Sequence, residues 1–304
     1  MKHFGPDVAK RALERWGAED GSLRRVATSG NATYRFRSRG EDRILRLTDP
    51  AHRSAAHNRA EMAFLLHLGR EGVPACAPVP STAGALVESL EECSACVLSW
   101  ASGVKVEPDS GLWDEAFFRE WGRHLARIHD AARRYAGPAR WPWWQEGLIA
   151  EADRWLPPED AVSRAELRRV RAVLEALPRD ADNYGMTHAD FAPQNFHYER
   201  GRGITSFDYG NCCDHWFVSD LAISLSTLRR HPERERYRAW ILAGYEEVLT
   251  PDPIVLRHLS TFLQLRVLYV YLSRLCAFGA APDPAQRETL RTLRALVAER
   301  IEWA

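Results

Sequence analysis

Two hydrophobic periodicities occupy this chain in succession, and their order restricts the architecture more than any other feature. Before residue 100, short β-like runs come at 24–26, 33–36 and 43–47, separated by the turn signals Ser29-Gly30-Asn31 and Arg39-Gly40-Glu41. One helical stretch follows at 57–72, with Met62, Leu65, Leu66 and Leu68 on one side and Gly69 and Gly72 at its end. Pro74, Pro78 and Pro80 then force an extended path, and 86–88 with 96–100 read as the closing pair of an antiparallel sheet. Beyond Gly103 the spacing turns helical, at 112–132, 163–176, 237–249, 253–278 and 283–303. A β-rich insert at 185–208, turning at 199–203, interrupts these helices. The expected fold is α+β in two lobes: a small antiparallel-sheet lobe at 1–102 and a mostly helical lobe at 103–304.

Composition narrows the function classes. The 304 residues are 45% hydrophobic and 27% charged, enough for a sizeable core. Lys+Arg and Asp+Glu both number 41, so no global field draws the chain to nucleic acid or anionic lipid, and neither is expected as a partner. Residues 1–17 mix Lys2, Lys10, Arg11, Glu14 and Arg15 with Val8, Leu13 and Trp16, an amphipathic pattern without the apolar segment of a signal peptide. No stretch approaches the roughly 18 uncharged apolar residues of a membrane-spanning helix, and a cytoplasmic protein is expected. Cys93 and Cys96 form a C-x-x-C without a second pair at metal-site spacing, so the six cysteines are read as ordinary thiols. Oligomeric state is not readable from the sequence.

The densest chemical signal is Thr187-His-Ala-Asp-Phe-Ala-Pro-Gln-Asn195, followed by Thr205-Ser-Phe-Asp-Tyr-Gly210. Asp190 precedes Asn195 by five positions and Asp208 by eighteen. Phosphoryl transfer asks little covalent chemistry of a protein. It needs a carboxylate at the attacking hydroxyl and oxygen ligands for Mg²⁺ bridging the phosphates. A His-x-Asp-x-x-x-x-Asn loop with a later Asp-x-Gly supplies these groups at the spacing of a kinase catalytic loop and its metal-binding Asp.

These motifs resemble the aminoglycoside phosphotransferase and choline kinase family of the protein-kinase-like superfamily, over about residues 20 to 275. The family loop reads His-Gly-Asp-x-x-x-x-Asn; here Ala189 stands in place of the Gly. The resemblance implies a nucleoside triphosphate, ATP or GTP, as co-substrate with Mg²⁺, and a small-molecule hydroxyl as acceptor. It makes Asp190 the base or orienting carboxylate, Asn195 and Asp208 the metal ligands, and His188 and Asp220 the structural support of the loop. It pairs Arg46, where a kinase places a Lys, with Glu61 to orient a cation at the phosphates. Ser29, Gly30 and Asn31 would cover the phosphates, and the Ser99 carbonyl and Ala101 amide would pair with the purine edge.

The acceptor is less legible. Asp214 and Trp216 follow the metal segment and are candidates for it. Trp141, Trp143, Trp144, Tyr237, Trp240, Tyr245, Glu246, Tyr269 and Tyr271 are further aromatic or acidic groups that could meet a cation. An aminoglycoside, another antibiotic, an amino alcohol, homoserine or a sugar all suit such a scaffold. Two alternatives stand beside this reading: a protein Ser/Thr kinase of the same fold, and a nucleotide-binding regulatory protein without turnover.

Overall fold

The computed structural model describes residues 4–27, 32–51, 53–138 and 147–299. The expected phosphate-loop residues Ser29, Gly30 and Asn31, and the acceptor candidates Trp141, Trp143 and Trp144, lie outside them. In chain order come α1 (Pro6–Leu13), β1 (Arg24–Ala27), β2 (Ala32–Ser38), β3 (Glu41–Thr48), α2 (Ala55–Arg70), β4 (Pro78–Val79), β5 (Glu88–Ser89) and β6 (Ser94–Ser99). Next are α3 (Glu115–Arg133), α4 (Gly147–Ala150), α5 (Ala152–Trp155), α6 (Ala161–Ala176), β7 (Tyr184–Thr187), β8 (Phe196–Glu199), β9 (Gly203–Ser206) and β10 (Cys213–Trp216). The chain finishes with α7 (Val218–Ser226), α8 (Arg234–Glu246), α9 (Pro253–Leu256), α10 (Leu259–Phe278) and α11 (Pro284–Ala298). The fold is α+β, with the antiparallel sheet early and the helices late. The 253–278 stretch, expected as one helix, is broken after Leu256 into α9 and α10.

Contacts divide the chain into two compact units that no single cut separates. The first holds residues 1–113, 135–140 and 194–210; the second holds 114–134, 141–193 and 211–304.

In the first unit the sheet runs β1-β2-β3-β6-β4, with β5 also paired to β6. Alternation in β2 turns Ala32, Tyr34, Phe36 and Ser38 inward, and Leu45 and Leu47 of β3 join them. Phe4, Ala9, Ala12, Leu13 and Trp16, on and around α1, close this core. The Tyr34 hydroxyl donates to the Phe4 carbonyl at 2.8 Å, which ties that segment to the sheet. The β8–β9 hairpin joins the same unit through backbone bonds between Ser206 and Pro74, Cys76 and Ser206, and Val104 and Tyr198. Gly103 makes the last of these possible: its φ is +86°, and a Cβ there would lie 2.7 Å from the Tyr198 carbonyl.

In the second unit α3 and α8 pack backbone to backbone. A Cβ on Gly122 would fall 1.8 Å from the Ile241 carbonyl oxygen, and one on Gly244 would fall 1.9 Å from that of Arg119. Phe117, Phe118, Trp121 and Leu125 bury the inner face of α3. α10 packs against α6, α7 and α11, and β7 pairs antiparallel with β10.

Candidate active site

The first unit carries a buried ion pair. In β3, Leu45 and Leu47 face the core, so Arg46 points to the opposite face, where α2 buries Asn58, Glu61, Leu65 and Leu68 at helical spacing. The guanidinium forks onto Glu61, Nη1 to Oε1 at 2.7 Å and Nη2 to Oε2, with the two side chains 5% and 0% exposed. Burial works against the charged guanidinium, but Cys96, Glu61 and Asp208 outweigh it and hold Arg46 protonated well above the ordinary arginine value. Arg46 Nε is buried with no hydrogen-bond partner.

Asn195 ends a short 3₁₀ turn ahead of β8, and its carbonyl accepts from the Phe207 amide at 2.9 Å. The β8–β9 ladder thereby sets Asn195 opposite Phe207 and next to Asp208 in the fold. Asp208 is exposed and adopts a φ of 61°, a left-handed conformation that side chains other than Gly seldom take. Asp208, Arg46 and Arg53 converge on Gly210: a Cβ there would meet Asp208 Oδ1 at 3.4 Å, Arg46 Nη1 at 3.7 Å and Arg53 Nη1 at 3.9 Å.

One carboxylate and one amide fit a Mg²⁺ ion, which keeps waters and phosphate oxygens for most of its octahedron. Among the described residues no group of three or more His, Cys, Asp or Glu side chains could hold a metal, as an all-protein cage would require. Cys93 and Cys96 are free and buried, and burial pushes both thiols up.

At the end of β6 the Ser99 amide donates to the Ala77 carbonyl and the Ser99 hydroxyl accepts from the Ala77 amide. Ala101 is buried, and its carbonyl accepts from His197 Nδ1 at 3.2 Å. The His197 ring lies edge-on to Trp100 and Phe207. Sequence reasoning passed over His197, which carries no local signal beyond standing two residues after Asn195.

The second unit carries the loop with Asp190. The β7–β10 ladder pairs Thr187 with Cys213 and delivers the chain into the loop at His188. Asp220, fully buried on α7, accepts from the His188 amide at Oδ2 and the Ala189 amide at Oδ1, each at 2.8 Å. His129 Nε2 lies 3.2 Å from Asp220 Oδ2, and its Nδ1 lies 2.8 Å from the Tyr245 hydroxyl. Burial alone would raise the Asp220 carboxyl, but His129, His188 and the His188 amide outweigh it and hold it below its ordinary value. This anchor keeps Ala189 at a φ of 61°. Phe191 is locked by the Ser224 hydroxyl on its carbonyl at 2.8 Å and by the stacked ring of His124.

Asp190, between these fixed points, is partly exposed, and its Oδ1 accepts from Arg266 Nη2 on α10 at 2.8 Å. No local signal marks this pair, because the partners are 76 positions apart and Arg266 looks like any arginine on a long helix.

Of the proposed acceptor contacts, Asp214 sits half-buried on β10 opposite Met186. Trp216 is corrected: it is 0% exposed, its indole N–H donates to the Pro178 carbonyl at 2.7 Å, and its ring packs on Tyr184 and Phe262. Burying so large a ring with its one donor satisfied is a packing solution, and no face is left for a ligand. Tyr237, Tyr245 and Tyr271 are likewise core residues. Trp240 and Tyr269 are half-buried and Glu246 is exposed.

Known proteins resemble this chain in sequence and in fold. The profile of the phosphotransferase enzyme family matches residues 22–259. Amicoumacin kinase of Bacillus subtilis (strain 168) is 28% identical over 281 residues, covering 87% of this chain and 83% of that protein. Homoserine kinase of Gluconobacter oxydans (strain 621H) is 26% identical over 251 residues, covering 77% of each chain. Among solved structures, an amicoumacin kinase in complex with AMP-PNP, Ca²⁺ and Ami superposes with a TM-score of 0.88 at 24% identity, over 97% of this chain and 93% of that one. A microcompartment-associated aminopropanol kinase gives 0.80 at 22% identity, over 97% and 95%. The relatives are small-molecule kinases, and the likeness runs through both units; this chain belongs to the phosphotransferase enzyme family.

Proposed function

We propose that this chain transfers the γ-phosphoryl group of ATP, or of GTP, to a hydroxyl of a small metabolite or antibiotic. The observation that carries the reading is the convergence of Arg46, Arg53 and Asp208 on Gly210 beside the Arg46–Glu61 fork. Fixed positive charge behind an exposed carboxylate suits a polyphosphate carrying a divalent cation. Asn195 and Asp208 would hold Mg²⁺, which neutralises charge on the phosphate oxygens when bound. Ser99 and Ala101 would meet the base through backbone groups.

Asp190 accepts the hydrogen bond of the acceptor hydroxyl and orients its oxygen. That oxygen bonds to the γ-phosphorus as the bond from phosphorus to the bridging oxygen breaks. The nucleoside diphosphate leaves with the electron pair, and the hydroxyl proton passes to Asp190. Asp220 fixes the loop that carries Asp190, with its two bonds to the amides of His188 and Ala189. Relatives named for amicoumacin, homoserine and aminopropanol support an acceptor that bears a hydroxyl and an amino group. An antibiotic acceptor would make the enzyme a resistance factor, and dependence on ATP suits the cytoplasm.

The test is acceptor-dependent release of ADP and GDP across hydroxylated antibiotics, amino alcohols, hydroxy amino acids and sugars, with Asp190→Asn as control. Turnover with one acceptor, lowered about 10²–10⁴-fold in the variant, is expected. Nucleotide binding with no acceptor accelerating release would contradict the kinase reading and favour a regulatory one.

A further inference from the structure

We propose that Arg266 reads the acceptor, and that the acceptor carries a carboxylate close to its reacting hydroxyl. This rests on the kinase reading above and deepens it. Arg266 gives one N–H of Nη2 to Asp190 Oδ1 at 2.8 Å, and the two side chains are 24% and 22% exposed, so an acceptor reaching Asp190 also reaches the guanidinium. Among the described residues the other N–H donors of Arg266 have no hydrogen-bond partner, and the guanidinium carbon lies 5.8 Å from the centroid of the Tyr269 ring. Arg46 is the contrast within this chain: both of its Nη groups are spent on Glu61.

A planar guanidinium with free donors matches a carboxylate by two parallel N–H···O bonds. It repels an ammonium group placed at the same point. Of the aromatic rings that could offset that repulsion with an ammonium cage, Trp216, Tyr237, Tyr245 and Tyr271 are buried in the core, and the half-buried Tyr269 already lies under the Arg266 guanidinium. The acceptor class that fits is a hydroxy acid or hydroxy amino acid. Its carboxylate docks on Arg266 and its hydroxyl is thereby delivered to Asp190.

Three probes separate the charges: L-homoserine, 4-hydroxybutyrate, and 3-aminopropan-1-ol, which is homoserine without its carboxylate. Each is titrated calorimetrically into wild type, Arg266→Gln and Arg266→Lys saturated with Mg²⁺ and AMP-PNP. Wild type is expected to bind the two carboxylates more tightly than the amino alcohol. Arg266→Gln should weaken both carboxylates about 10–100-fold while leaving 3-aminopropan-1-ol unchanged or tighter, and Arg266→Lys should recover part of the loss because charge returns without the fork. A purely structural arginine would weaken all three alike. Equal losses, a preference for 3-aminopropan-1-ol, or no carboxylate binding by a wild type that still binds AMP-PNP would overturn the assignment of Arg266 alone. Absence of AMP-PNP binding would overturn the kinase reading and this inference together.

Discussion

The two arginine–carboxylate pairs, one in each unit, differ in what surrounds them. Arg46 and Glu61 are almost wholly buried, joined by a two-bond fork, and committed to each other. Arg266 and Asp190 share one bond, and each keeps about a quarter of its side chain in solvent. A buried pair is costly to break, because removing one partner leaves the other charge unsolvated. A partly exposed pair contributes less to stability and exchanges partners more readily. The first pair is therefore a fixed dipole whose guanidinium end lies toward Gly210, and the second is a contact that a ligand can remodel.

The largest expected effect sharpens this contrast. Glu61→Gln should lower stability by about 3–5 kcal/mol, since it strands a buried guanidinium. Arg266→Gln should cost under about 1 kcal/mol. Urea unfolding followed by circular dichroism measures both, and equal losses would break the comparison.

A smaller effect separates the units by pH. His124 and His215, both in the second unit, are held by burial to about 3, below the usual 6.5. The unfolded chain therefore binds protons that the folded chain refuses, and stability falls as pH drops from 6.5 toward 3. At pH 5.5 the loss is about 1.4 kcal/mol per histidine. Denaturation midpoints at pH 7.5 and 5.5 should show this loss, and His124→Phe should reduce it. A midpoint that did not move with pH would contradict neutral burial of these rings.

The smallest effect concerns the loop between the two Asp220 bonds. Ala189→Gly should raise stability by less than about 1 kcal/mol, because relief of a left-handed alanine is partly offset by the freedom that glycine gains when unfolded. Thermal unfolding checks it. A clear fall in melting temperature would mean that the Ala189 side chain packs usefully where it stands.

Much of this was legible before the structure, because some signals are local. The short alternating strands, the turns at residues 39–41 and 199–203, and the spacing of Asp190, Asn195 and Asp208 need only neighbouring residues to be read. Arg46 and Glu61 were recognisable as partners because a strand followed by a helix brings them together over 15 positions. Illegible features depend on distant packing. The Arg266–Asp190 contact, the His129–Tyr245 bond behind Asp220 and the Arg53 contribution at Gly210 leave no mark on sequence periodicity. Trp216 misled for the opposite reason: it stands eight residues after Asp208 in sequence, yet β10 turns it into the core. The break between α9 and α10 was hidden because apolar spacing continues across Arg257 and His258.

The assignment of Asp208 to the metal and of Asp190 to the acceptor is tested most directly by titrating ADP, with and without Mg²⁺, into wild type, Asp208→Ala and Asp190→Asn. Loss of Mg²⁺-dependent binding in Asp208→Ala, with wild-type affinity kept in Asp190→Asn, is the predicted result. Unaltered Mg²⁺-dependent binding in Asp208→Ala, or its loss in Asp190→Asn instead, would contradict the account.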